Sequence, residues 1–123
     1  MFSVEFYTKS NGEKPAWDFI ESFDEKIQAK LLRSITLLEN NGTELRLPHS
    51  AKLSDKIFEL RVQEGSNIFR VLYFFYVGKR IVMTHGFVKK TQKTPPSEIN
   101  RAKLYMNDFF RQEAEKRQGG KSK

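Results

Sequence analysis

The 123-residue chain has no cysteine, which excludes disulfides and thiolate metal sites. Its only histidines are His49 and His85. No HxxxH-type spacing joins them, and they offer too little company for a Ser-His-Asp triad or a metal site. A Gly-rich phosphate loop and a paired-carboxylate motif are also missing. Glu21, Asp24 and Glu25 read as a solvated helix junction. No stretch approaches the ~20 apolar residues of a membrane helix. The start, MFSVEFYTKSNGEK, carries Glu5 and no long apolar run, so no signal peptide is expected. These absences lead to the expectation of a cytoplasmic protein with no cofactor, no metal and no membrane association. Any chemistry would have to run on Arg, Lys, Tyr and His.

What is present is hydrophobic and basic. Hydrophobic residues make up 38% and aromatics 13%, with 11 Phe, far more than a disordered chain carries. The length suits one domain with one core, expected over residues 1–117, with 118–123 as a basic flexible tail. The formal net charge is +7, a balance that favours polyanionic partners such as RNA, DNA, an acidic protein or a membrane surface.

The pattern along the chain predicts an α+β domain. Phe2, Val4 and Phe6 alternate with polar neighbours, as in a strand. Pro15 suits the first turn of a helix over 15–23, with Trp17, Phe19, Ile20 and Phe23 as its stripe. Asp24 can cap a second helix over 25–39, where Ile27, Leu31, Ile35 and Leu38 keep helical spacing and Asn40-Asn41-Gly42 ends it. Residues 43–56 read as a loop with a short extended piece. Three strands follow, over 57–63, 67–77 and 80–88, joined by short turns and hence antiparallel. Thr94 can cap a last helix, with Pro95 at its first position. Ile99, Ala102, Met106, Phe109 and Phe110 form its apolar face. The expected architecture is two N-terminal helices on one face of an antiparallel sheet of about four strands, plus a C-terminal helix.

Two arginines interrupt the hydrophobic strands. Arg70 shares a face with Ile68, Leu72 and Phe74. Arg61 shares one with Ile57 and Glu59. A single Arg there reads as a wet strand face. Two on adjacent strands, followed by Lys89, Lys90 and Lys93 where the third strand ends, read as a basic patch on the sheet face left open by the helices. Arg also suits bidentate phosphate contact. Such a patch could serve RNA cleavage, in which the 2′-hydroxyl attacks its own phosphate. The protein then supplies a base, charge stabilisation and an aid to the leaving oxygen. Clustered cations can depress a Lys pKa for that purpose.

LSDKIFELRV, FRVLYFF and HGFVKKTQKTPPSEINRA, in that order, resemble a HigB-type toxin of the phage-derived branch of the RelE/ParE superfamily. The resemblance covers about residues 14–106. It implies a RelE-like fold and an endoribonuclease acting on translated mRNA in the ribosome. It also implies a helix-turn-helix, HigA-like antitoxin as partner, in a toxin–antitoxin heterotetramer. By position it assigns Arg61, Arg70, Lys89 and Lys90 to catalysis. Lys52, His85 and Lys93 are expected as further RNA-binding residues. Glu59 stands where RelE has a catalytic Lys, and Tyr105 lies in a helix rather than at the place of RelE's C-terminal Tyr. The alternatives are a ParE-like gyrase inhibitor and an RNA-binding module without catalysis. The antitoxin could cover the basic face or bind the helices of residues 15–39.

Overall fold

A computed structural model describes residues 1–121. In chain order the elements are β1 (Ser3–Phe6), α1 (Pro15–Glu21), α2 (Glu25–Asn41), β2 (Ser50–Lys52), β3 (Phe58–Glu64), β4 (Asn67–Tyr76), β5 (Arg80–Lys89) and α3 (Pro96–Lys121). A short 3₁₀ turn, Gly42–Glu44, follows α2. The expected helices and the three central strands are all present, with the ends of α1, α2 and the strands shifted by a residue or two.

Local chemistry accounts for α2. The Asp24 carboxylate accepts the Ile27 amide at 3.1 Å, satisfying one of the orphan donors of the first turn. Ile27, Leu31, Ile35 and Leu38 are buried along one stripe, each contributing about 1.5–3 kcal/mol of transfer free energy. The helix ends at Gly42, whose φ is +53°. A Cβ there would also run into the Phe2 ring, so both the backbone and the packing call for glycine.

The sheet, among the described residues, has five strands in the order β1-β5-β4-β3-β2, one more than expected. The extra strand is β2, formed by the extended piece within 43–56. It pairs with β3 from Ser50↔Leu60 to Lys52↔Phe58. The sheet is also not wholly antiparallel. β1 lies parallel to β5, in the register Ser3↔Arg80 to Phe6↔Met83. The two intervening helices carry the chain back across the sheet, the kind of crossover that parallel neighbours need.

The helices do not share one face. α1 and α2 cover Leu60, Val62, Phe69, Val71, Tyr73, Ile81 and Met83. On the opposite side, Ala102, Met106 and Phe109 of α3 pack on Ile57, Leu72, Phe74 and Val82. β4 is therefore buried on both faces. Arg80 pins α3 down, because its guanidinium takes Glu5 of β1 at 2.7 Å and Glu113 of α3 at 3.0 Å. It also lies over the rings of Tyr76 and Phe109. The start of α3 differs from expectation. Pro96 is its first residue, and the amides of Glu98 and Ile99 bond back to the Pro95 carbonyl. Thr94 is buried and does not cap it. The helix runs through Lys121, so residues 118–121 of the expected tail are helical, and 122–123 lie outside the described residues.

α3 covers only part of its face. The end of the sheet it leaves is where β3, β4 and β5 bring Glu59, Arg61, Arg70 and Phe87 together.

Candidate functional site

The strand register builds the site. Glu59 and Arg61 are two apart on β3 and so share a face. Arg61 lies opposite Arg70, and Arg70 lies opposite Phe87 on β5. Arg70 is fully buried at 0% exposure and Glu59 is at 2%. The Arg61 side chain keeps 15%. One Glu59 oxygen stands 3.5 Å from Arg70 Nε and the other 3.4 Å from Arg61 Nε. The Phe87 ring flanks the Arg70 guanidinium at 5.8 Å.

A strap of residues 91–94 lies over this cluster. The Thr91 carbonyl accepts from Arg70 Nη2. Gln92 Oε1 accepts from Arg61 Nη2 at 2.6 Å. The Thr94 hydroxyl donates to Glu59 Oε1 at 2.5 Å. Each polar member of the cluster is thus tied to the strap. Even so, Arg70 Nε and Nη1 are buried without a hydrogen-bond partner, and orphaned buried donors are costly. Burial lowers the Arg70 pKa, Glu59 opposes the shift, and Arg61 adds to it. Two guanidiniums against one carboxylate leave an excess positive charge and unused donors, the chemistry of an oxyanion site.

Of the sequence-predicted residues, the structure brings Arg61 and Arg70 side by side. The expected open patch is instead a covered one, because the strap closes over Arg70. Lys89 is exposed at the end of β5 and pairs with Ile68, which places it on the same sheet face as Arg70. Lys90 is exposed just before the strap, and Lys93 is exposed within it. Lys52 is not brought to the pair. It lies opposite Phe58, which packs with the α1/α2 core, and its Nζ sits 6.0 Å from that ring. His85 is at 3% exposure. Its Nε2 is 3.0 Å from Glu98 Oε1 and its Nδ1 is 3.2 Å from the Thr84 hydroxyl. Phe87 stacks on the ring, and Tyr105 meets it edge-on. Burial lowers the His85 pKa, and the Glu98 hydrogen bond works against that shift. Trp17, Phe19 and Phe23 pack on the α1/α2 core.

Sequence reading missed Thr91, Gln92 and Thr94 as partners of the cluster. Their contacts arise from the way the chain folds back after β5, and no local pattern announces it. Glu59 was legible: a carboxylate two positions from Arg61 must share its face. Among the described residues, no group of three or more His, Asp or Glu side chains is placed to hold a metal ion. No helix among the described residues is long and apolar enough to cross a membrane.

The family described as Phage derived protein Gp49-like matches residues 18–107. That span runs from α1 into α3 and contains the arginine pair, Glu59 and the whole strap. No curated protein matches the chain.

Proposed function

The chain belongs to the Gp49-like family of phage-derived proteins, and from that premise we propose that it is the toxin of a type II toxin–antitoxin module. In this reading it is a HigB-like endoribonuclease of RelE-like fold that cleaves translated mRNA on the ribosome and arrests growth. The observation that carries the reading is the Arg61–Arg70 pair with its unused buried donors. The partners are mRNA, the ribosome and a helix-turn-helix antitoxin, in the cytoplasm.

The strap supplies the link to phosphate. Its Thr91 carbonyl and Gln92 amide oxygen accept from the two guanidiniums, and two phosphate oxygens would accept from the same donors once the strap lifts. In the reaction the 2′-oxygen forms a bond to phosphorus and the bond to the 5′-oxygen breaks. The products are a 2′,3′-cyclic phosphate and a 5′-hydroxyl. Arg61 and Arg70 hold the non-bridging oxygens as charge develops on them. One of Lys89 and Lys90, as the free amine, accepts the 2′-hydroxyl proton, and the other, as the ammonium, gives a proton to the leaving 5′-oxygen. Lys93 holds the RNA backbone. Lys52, on the other face, reaches RNA only outside the cleaved dinucleotide. His85 supports the site from beneath through Phe87.

The test is to induce the wild type and Arg61→Ala in growing cells and to map mRNA 5′ ends. New ends within coding sequence are expected for the wild type and a large loss for the variant, since one oxyanion contact is worth about 10²–10³ in rate. Growth arrest without new ends would point to gyrase inhibition and overturn the reading.

A further inference from the structure

A cavity of about 520 Å³ opens beside the arginine pair, at the edge of the sheet. It exists because β2 is short. β2 pairs with β3 only from Phe58 to Leu60, and the His49 carbonyl then takes the Arg61 amide at 2.8 Å. Beyond that point β3 has no outer strand among the described residues, and α2 forms the facing wall. The volume lies within the range of small-molecule sites.

The lining has two chemistries. The floor is apolar, with Leu37, Pro48, Val62 and Ile68. The rim is cationic, with Lys30, Arg33 and Arg61, and no carboxylate lines it. Lys30 is committed to Glu64. Arg33 is exposed on α2, and its side chain makes no hydrogen bond or ion pair among the described residues. Gln92 joins the cavity to the covered site: it lines the cavity, and its Oε1 occupies an Arg61 donor at 2.6 Å. An acceptor group entering the cavity would displace that amide from Arg61 and so loosen the strap over Arg70.

We propose that this cavity holds the ribonucleotide adjacent to the cleaved phosphate, its ring against the apolar floor and its own phosphate between Arg33 and Arg61. The ligand chemistry, a phosphate joined to a planar ring, follows from the lining. Its placement within an RNA strand rests on the nuclease reading. A free nucleotide carries the same chemistry, so the test separates the two sources. Occupancy of the cavity is coupled to release of Gln92, which makes the cavity a sensor for substrate as well as a subsite.

Amide shifts would be followed by NMR on the full chain during titration with inorganic phosphate, with adenosine monophosphate and with a short RNA carrying a single deoxy sugar at the cleaved position. The mononucleotide is expected to shift Ser34 and Gln63 and to bind more tightly than phosphate, and the RNA more tightly still. Arg33→Glu should raise Kd for both by roughly tenfold while leaving the melting temperature unchanged. Ser34→Trp, which fills the cavity, should do the same. Equal binding of phosphate and mononucleotide would remove the ring site and overturn the proposal. So would an RNA that leaves Ser34 and Gln63 unmoved. Equal binding of mononucleotide and RNA would assign the cavity to a free nucleotide and overturn the strand placement. Cleavage in a translating extract reads the nuclease proposal separately. Intact RNA with a nucleotide still bound in the cavity would sink the nuclease proposal and the strand placement with it, and would spare the ring-and-phosphate site. Wild-type cleavage with an unchanged KM in Arg33→Glu would do the reverse.

Discussion

Glu59 is the residue on which the buried cluster balances. Its carboxylate faces both guanidiniums and receives the Thr94 hydroxyl. Glu59→Ala leaves Arg70 buried without compensation, a change that costs about 3–5 kcal/mol. Arg70→Met keeps volume and removes the buried charge, so it should cost much less, while mRNA cleavage is lost. Chemical denaturation of the two variants checks the ordering, and equal destabilisation would contradict the cluster as described. His85 gives a second prediction at this scale. Its folded pKa lies below the ordinary 6.5, chiefly through burial. The folded state therefore prefers the neutral ring. Stability should be fully present above pH 6.5 and should fall as pH drops below it towards the lowered folded value. His85→Gln should flatten that part of the stability profile, measured by melting temperature from pH 5 to pH 8. An unchanged acid slope would show that other groups carry it.

At the scale of elements, α1 packs on β5, with a close approach at Gly86. Gly86 has no side chain, and a Cβ there would collide with the Phe19 ring. Gly86→Ala must push the Phe19 ring aside. Overpacking of this kind costs about 1–3 kcal/mol. Phe19→Ala in the same chain should recover part of the loss, so the two changes are expected to be non-additive. Simple additivity in a double-mutant cycle would mean that the two do not meet.

The strands also show what sequence could deliver. The alternation in IFELRVQ, NIFRVLYFFYV and RIVMTHGFV located β3, β4 and β5 closely, because each needs only its own period and a turn at each end. The Asp24 cap and the stripe of α2 were legible for the same reason. The parallel pairing of β1 was not, since it depends on where two helices return the chain. The position of α3 has a trace in the sequence of β4. β4 is apolar at Ile68, Leu72 and Phe74 as well as at Phe69, Val71 and Tyr73. A strand apolar on both faces is covered on both, and the apolar face of α3 supplied the cover. Beyond the reach of α3, the residues after β5 turned Arg70 from an open-patch residue into a buried one. The strap contact that completes its burial joins positions 21 apart in sequence and has no local signature.

For the whole molecule, the net charge of +7 surrounds a site whose cations are partly hidden. Lys89, Lys90, Lys93 and Arg33 are exposed and would carry the long-range attraction, while Arg61 and Arg70 would act only after the strap has moved. RNA binding should then weaken with salt, with a slope of about −0.7 for each phosphate neutralised on a single strand. Replacing Lys90 or Lys93 by Gln should reduce that slope by about one such step. An unchanged slope would place the strand elsewhere on the surface.

The central claim is that the arginine pair serves a 2′-hydroxyl attack on RNA. The chemical form of the cleaved ends in a purified translating system tests it most directly. A 2′,3′-cyclic phosphate, or the 3′-phosphate formed from it, beside a 5′-hydroxyl is the predicted result, and these ends should disappear with Arg61→Ala. A 5′-phosphate beside a 3′-hydroxyl, or RNA left intact, would contradict it.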